Sequence, residues 1–144
     1  MHPLASSLLA LGLASSALAQ GLTCTSTLVG AGCGASLGVT FTAVGGAGNK
    51  RLDLDATGLF PDAQGMMVWG VSPTNVPLTT GCAMFTEFIW GHMIQTDSFG
   101  TWSWSRSWPA SAIGFYYIQF GTFRFDSAGV FQLVVSDCKR VECQ

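Results

Sequence analysis

Charged side chains are scarce in this sequence. They make up 10% of the residues, against about 25% in an ordinary soluble domain. The six basic residues are scattered along the chain, and the formal net charge is -2. Because proteins that bind nucleic acid or anionic membranes need a basic patch or stripe, we predict neither as a partner. A surface with so little charge is rich in serine, threonine and glycine, or is partly covered by another molecule.

The sequence also lacks a second apolar run that approaches the roughly 20 residues of a membrane-spanning helix. Its start combines a short polar stretch with an apolar run over 8–18 that is followed by small residues. This pattern is typical of a secretory signal peptide that is cleaved after Ala19 or Gln20. We therefore predict a signal peptide over 1–20 and one domain over 21–144 that is secreted or associated with the cell envelope, without a transmembrane segment.

Motifs for cofactors and metals are missing as well. The Gly-rich stretches over 30–34 and 44–50 have neither the spacing of a nucleotide-binding motif nor a helical pattern after them. The cysteines and histidines show none of the paired spacings of a zinc site. Calcium is an alternative at Asp53, Asp55 or Asp62, although no loop has a recognisable spacing of oxygen ligands. We predict that the protein binds no cofactor and no metal.

What the sequence does contain is alternation of apolar and polar residues in short runs, separated by Gly, Pro, Asn and Asp. Such alternation indicates strands with one buried face. The run over 114–120 is apolar on both faces apart from Gln119, which predicts a central strand that is covered on each side or by a partner. Turns are predicted at 72–75, 96–100 and 126–129. The strand candidates cover residues 38–44, 50–57, 65–71, 82–90, 101–108, 114–120 and 130–137.

The order of these runs defines the fold class. No run has a convincing amphipathic helical pattern, so all the candidate elements are strands. Short strands with turn signals between them are typical of an antiparallel sandwich. We predict an all-β fold, a single antiparallel β-sandwich domain that is stabilised by disulfides.

Five cysteines follow the predicted signal peptide. In an exported chain, cysteines are expected to form disulfides. Five thiols allow two bonds and one leftover, which leaves the pairing open and makes the odd thiol a candidate for linking two chains. The disulfide candidates are Cys24, Cys33, Cys82, Cys138 and Cys143.

Several short motifs resemble a family of mostly uncharacterised secreted β domains, of GCG type, that is abundant in planctomycete-like bacteria. The resemblance extends from Gly30 to Val135. It implies a β-sandwich-like fold and a bond between Cys33 and Cys82, and it implies no catalytic residues. The motifs that carry it are "GAGCGASLG" at 30–38, "GC" at 81–82, "TDSFG" at 96–100, Pro109 and "IGFYYIQF" at 113–120.

The sequence departs from that family at two places. The strand after "TDSFG" carries tryptophans where the family has small and aliphatic residues. Cys24, Cys138 and Cys143 are additions at the two ends of the chain. A bond from Cys24 to Cys138 or Cys143 would tie the first strand to the last.

Three places in the sequence are candidates for catalysis. Ser36 lies in a G-x-S-x-G pattern, but a nucleophile elbow needs a strand before the serine and a helix after it. His92 is a candidate general base, although a lone histidine near a strand end is usually a turn residue. Asp53 and Asp55 would lie about 7 Å apart on one strand face, which suits an inverting glycosidase. Basic neighbours instead indicate a solvated face, and a small hydrolase is the least favoured function.

The stretch "TWSWSRSW" at 101–108 bears most directly on function. On a strand, Trp102, Trp104, Arg106 and Trp108 share one face and the hydroxyl residues share the other. Turned inward, the tryptophans belong to the core, and the arginine sits at the core rim with a carboxylate partner because an unpaired buried charge is costly. Turned outward, they form an aromatic strip that stacks on sugar rings. We predict the core arrangement, with the strip as the alternative. The candidate partners of the arginine are Asp97 and Glu87.

These observations favour a non-catalytic protein with a structural, adhesive or assembly role at the cell envelope or outside the cell. Its expected partners are further copies of itself or envelope proteins, because the predicted strands include long apolar edges. The alternative function is a carbohydrate-binding module that uses the tryptophan row to bind polysaccharide.

Overall fold

The computed structural model describes residues 22–45, 48–79, 81–109 and 111–144. The predicted signal peptide over 1–20 lies outside the described residues. Within the described ranges the secondary structure is all strand and turn, and no helix there could span a membrane. The strands are β1 (Cys24–Gly30), β2 (Gly34–Ala43), β3 (Lys50–Thr57), β4 (Gln64–Gly70), β5 (Pro73–Thr79), β6 (Cys82–Thr86), β7 (Trp90–Gln95), β8 (Trp102–Trp108), β9 (Gly114–Phe125), β10 (Phe131–Ser136) and β11 (Cys138–Cys143).

Two antiparallel sheets face each other, which confirms the predicted fold class. In the first sheet β9 is central. Along one edge it pairs first with β11 and then with β10, and along the other edge it pairs with β4. β1 pairs with β11 and β7 pairs with β4 at the outside of this sheet. The second sheet has the order β2-β3-β8. A parallel bridge between Ser136 and Ala35 joins the sheets, so β7 and β8 are the edge strands at the side away from it.

The core lies between the sheets and follows the two-residue period of the strands. On β3, Leu52 and Leu54 are fully buried, while Asp53 and Asp55, which alternate with them, face outward. They pack in one cluster with Ile118 and Phe120 of β9 and Met67 of β4. Burial of each such side chain contributes about 1.5–3 kcal/mol. The prediction of a half-buried strand over 50–57 is therefore confirmed.

The hairpin of β5 and β6 covers the other face of β9. The Gln119 side chain accepts a hydrogen bond from the Phe85 N–H at 2.8 Å and donates one to the Ala83 carbonyl at 3.1 Å. Residues 117–120 are buried without interruption because one face of β9 meets the second sheet and the other meets this hairpin. This confirms the prediction of a central strand covered on both sides for 117–120, whereas Phe115 at the start of the predicted run is 43% exposed.

The predicted turns have different outcomes. The turn at 126–129 is confirmed, since the Gly129 N–H donates to the Asp126 carbonyl and β10 follows as a hairpin partner of β9. The turn at 96–100 is also confirmed, and Gly100 there has the positive φ of 70° that favours glycine. The prediction of a turn over 72–75 is wrong because β5 begins at Pro73. The single strand predicted over 82–90 is also wrong, since the chain leaves β6 after Thr86 and pairs again as β7.

Two disulfides stabilise the fold. Cys33 is bonded to Cys82, as the family resemblance implies, and Cys24 is bonded to Cys143. The latter pair lies directly opposite in the register of β1 and β11, so the bond ties the first strand to the last. Cys138 is the odd thiol and is fully buried. Burial raises its pKa to about 12. In this fold it is therefore not available to link two chains, contrary to the sequence-based expectation.

Candidate functional site

The tryptophan row lies on the inner face of edge strand β8. In the register with β3, Trp104 is opposite Leu54 and Arg106 is opposite Leu52. Because those leucines are buried between the sheets, the row points toward the interior, and the serines between its members are exposed. The direction of the row agrees with the core arrangement predicted from the sequence.

The row nevertheless has two parts with different surroundings. Trp102 packs on Phe120, with ring centroids 5.2 Å apart, and belongs to the core. All three tryptophans are half-buried and pack against the core, but only Trp104 and Trp108 also line a cleft. Beyond them the space between the sheets opens at the side where β7 and β8 are edge strands. The alternative of an outward strip across the whole row is therefore wrong, while part of the row lines a cleft.

This aromatic cleft has a volume of about 490 Å³, within the range of about 300–1,000 Å³ that is usual for small-molecule sites. Four of the five tryptophans of the chain contribute to it. They come from three strands, and β9 adds a tyrosine. The lining consists of Trp69, Gly70, Val71, Ile89, Trp90, Trp104, Arg106, Ser107, Trp108, Pro109, Ala112 and Tyr116.

Contacts among the rings hold the walls of the cleft in place. Trp69 lies edge-on to Trp104 at a centroid distance of 6.0 Å and to Tyr116 at 6.3 Å. Trp108 meets Tyr116 at 5.4 Å, and its Nε1 donates a hydrogen bond to the Ala112 carbonyl at 2.9 Å. Aromatic pairs of this kind contribute about 0.5–1.5 kcal/mol each beyond their burial. The cleft is thus formed before any ligand arrives.

One polar atom in this wall is left without a partner. The Trp69 Nε1 is buried and makes no hydrogen bond within the described part of the chain. A buried donor without a partner costs about 1–3 kcal/mol. Such a departure from optimal packing is more frequent at functional sites than in ordinary core.

Arg106 is the charged residue of the cleft lining. It is exposed and makes no ion pair with any described residue. The predicted pairing with Asp97 or Glu87 is therefore wrong, although the position at the core rim is correct. Asp97 instead accepts hydrogen bonds from the Thr101 hydroxyl at 2.6 Å and from the Phe99 and Thr101 N–H groups.

The candidate catalytic carboxylates lie on the opposite face of the second sheet. Asp53 accepts a hydrogen bond from Ser105, and Asp55 accepts one from Ser103 at 2.7 Å. The Ser105 hydroxyl and then Arg51 lower the pKa of Asp53. Asp53 therefore lacks the raised pKa of a general acid, and its ion pair with Arg51 belongs to the solvated, mixed-charge face that the sequence indicated.

The other predicted chemical residues are not brought together either. His92 is exposed and stacks on Trp90, with ring centroids 6.0 Å apart, on the inner side of β7. It is on the other side of the second sheet from Asp53. Ser36 lies within β2, opposite Thr57, and strand continues on its C-terminal side, so it is not on a nucleophile elbow. Among the described residues no group of three or more His, Cys, Asp or Glu side chains could hold a metal ion.

Sequence reasoning missed three of the five aromatic residues that line the cleft. Trp69, Trp90 and Tyr116 lie in runs that were predicted as strands, but nothing in the sequence shows that they meet the tryptophan row. The signal that was available is the two-residue period, which places Trp69 on the same face of β4 as the buried Met67.

No family model matches the chain, and comparisons with curated proteins and with solved structures also find no match. The resemblance to the secreted bacterial family therefore stays a prediction. The interpretation of the cleft rests on its own geometry.

Proposed function

We propose that this chain is a non-catalytic binding module that acts outside the cell and holds carbohydrate in the aromatic cleft. The observation that carries the proposal is the preformed cleft of about 490 Å³ whose walls are indole and phenol rings from β4, β7, β8 and β9. An adhesive role follows from binding to a polysaccharide surface. This joins the adhesive function predicted from the sequence with the carbohydrate-binding alternative.

The chemistry of the rings supports this ligand class. Sugar rings have one flat face of C–H groups that packs on an indole, and hydroxyl groups at their edges that stay hydrated. Indole rings with one polar atom suit such amphipathic ligands. The described lining contains no carboxylate, which supports binding over hydrolysis because glycosidases use a pair of carboxyl groups.

The disulfides support a location outside the cytoplasm. Bonds such as Cys24–Cys143 and Cys33–Cys82 form and persist in oxidising compartments. Together with the signal peptide predicted over 1–20, they favour secretion or attachment to the cell envelope.

A calorimetric titration with neutral and acidic oligosaccharides tests the proposal. Trp104→Ala should weaken binding at least about tenfold, because loss of one stacking ring at a binding site costs 1–2 kcal/mol or more. Trp102→Phe is the matched control, since Trp102 packs on Phe120 outside the cleft. The proposal fails if the wild-type protein binds no oligosaccharide, or if Trp104→Ala binds as tightly as Trp102→Phe.

Self-association is a second candidate function, and an exposed aromatic cluster favours it. Phe125 is 66% exposed and Phe131 is 49% exposed at the hairpin of β9 and β10. Their rings contact each other at 5.6 Å, and Phe123 stacks on Phe131 at 6.1 Å. Contiguous apolar patches of this kind mark interaction surfaces. The patch is at the end of the sandwich away from the cleft.

Sedimentation velocity over a wide concentration range tests this second function. We expect association that is reduced in Phe125→Ser and kept in Phe88→Ser, which removes an exposed phenylalanine at the cleft end. A wild-type protein that stays monomeric throughout would contradict it.

A further inference from the structure

The single charge in the aromatic cleft indicates more about the ligand than the rings do. Arg106 follows Trp104 by two residues and precedes Trp108 by two, so all three side chains fall on one face of β8. The strand rise separates the two tryptophans by about 13 Å, with the arginine midway. This span is longer than one sugar ring. The row therefore suits an oligosaccharide whose rings stack on both sides of the arginine.

The protein itself does not neutralise Arg106. The described ion pairs involve other residues: Arg51 with Asp53, Lys139 with Asp137 and Arg140 with Glu142. Glu87, a partner of Arg106 predicted from the sequence, is exposed and is not part of the cleft lining. Among the described residues, no carboxylate therefore neutralises the positive charge of Arg106.

We infer that the cleft selects acidic glycans, in which a carboxylate on the sugar ring pairs with Arg106. This inference rests on the proposed carbohydrate function. A guanidinium binds a carboxylate through two parallel N–H···O bonds, which fix orientation as well as charge. The neighbouring indoles bind the apolar faces of the adjacent rings. The ligand class is thus a chain of uronic acids, and neutral glucans are the weaker ligands.

The exposure of Arg106 determines how strongly we expect the cleft to prefer an acidic over an uncharged oligosaccharide. An exposed ion pair contributes modestly, and a hydrogen-bonded charge pair that is partly shielded contributes more. We expect an acidic oligosaccharide to bind about three- to tenfold more tightly than the same chain without its charge. The preference should decrease as salt is added, because exposed charges are screened.

The test compares uronic acid tetrasaccharides of the glucuronate, mannuronate and galacturonate series with their methyl esters, by calorimetry. Esterification keeps the rings and removes the charge. Arg106→Gln should bind acid and ester equally, with the ester affinity of the wild type. Arg51→Gln is the control, because it removes one positive charge from the outer face of the second sheet. Trp104→Ala should lose affinity for both forms.

The outcomes separate the inference from the function on which it rests. Equal binding of acid and ester by the wild type would overturn the inference while the carbohydrate function stands, and so would a preference that persists in Arg106→Gln. Binding that Trp104→Ala leaves unchanged would overturn the proposed function. Absence of binding to every sugar in the panel would overturn both.

Discussion

Gln119 shows how one buried polar residue specifies the arrangement of three parts of the fold. Its carbonyl oxygen accepts from the Phe85 N–H in the β5 and β6 hairpin. Its amide nitrogen donates to the carbonyls of Ala83 in that hairpin and Ser136 in β10. Since the side chain is only 2% exposed, water cannot reach its polar atoms. The three bonds to the protein therefore replace hydrogen bonds to water. The residue therefore fixes the hairpin on the outer face of the first sheet.

Gln119→Leu should lower the free energy of unfolding by about 2–5 kcal/mol. The substitution nearly keeps the volume but leaves one buried donor and two buried acceptors with fewer partners, and a group left wholly unpaired costs about 1–3 kcal/mol. Urea unfolding measures the change. Gln64→Leu, on an exposed position of β4, should alter the midpoint little. Equal stability of the two variants would show that the hydrogen bonds of Gln119 do not hold the hairpin.

At the scale of the strands, prediction from sequence succeeded where one face is buried. Residues 50–57 alternate in the sequence and alternate in the structure, because the core removes every second side chain from water. β1 was missed because its residues are nearly all exposed, so it carries no apolar face, and it is held by pairing with β11 and by a disulfide. β5 was missed because Pro73 lies in the stretch over 72–75 that was predicted as a turn. Proline is accepted there since β5 pairs only with β6 in the described chain.

The candidate site could also be predicted only in part, but the physical reason differs from that for the missed strands. The two-residue period placed Trp104 and Trp108 on one face of β8, and that much followed from local sequence. Their partners Trp69 and Tyr116 come from other strands. Which strands lie next to each other depends on the packing of the whole chain, and no local pattern encodes it.

The turn between β7 and β8 predicts a dependence of stability on pH. The Thr101 hydroxyl, followed by backbone N–H groups, lowers the pKa of Asp97 from its usual value of 3.8. The stability that this carboxylate contributes is therefore present above the unfolded-state pKa and is lost as the pH falls through the lowered folded-state pKa.

Asp97→Asn should accordingly be less stable than the wild type at pH 7, and the difference should shrink as the pH approaches 2. Urea unfolding across this range measures it. Asp62→Asn serves as the control, since the Asp62 carboxylate makes no hydrogen bond within the described residues. A difference that does not change with pH would mean that the charge on Asp97 does not stabilise the turn.

At the scale of the whole molecule, the disulfides tie together strands that are far apart in the sequence. Cys24–Cys143 closes a sequence separation of 119 residues and fixes β1 at the outer edge of the first sheet. Cys33–Cys82 closes a separation of 49 and connects the start of β2 to the β5 and β6 hairpin. The opposite side of the sandwich, between β7 and β8, has no such bond in the described chain, and the aromatic cleft opens there.

Removing either disulfide should destabilise the fold by about 2–5 kcal/mol, with the larger loss for the bond that closes the longer loop. The variants are the double serine substitutions Cys24→Ser with Cys143→Ser, and Cys33→Ser with Cys82→Ser. Chemical unfolding of the two variants and the wild type gives the comparison. An unchanged midpoint for the first pair would contradict the role assigned to the bond between the first and last strands.

The most direct test of the central claim is a two-dimensional ¹H–¹⁵N spectrum of the protein, recorded as a uronic acid tetrasaccharide is added. The five tryptophans give one indole N–H signal each. If the aromatic cleft binds sugar, the signals of Trp104, Trp108 and Trp90 shift with saturation while that of Trp102 stays in place, because Trp102 packs on Phe120 in the core. Unchanged cleft signals across every acidic and neutral sugar tested, or shifts confined to Trp102, would contradict it.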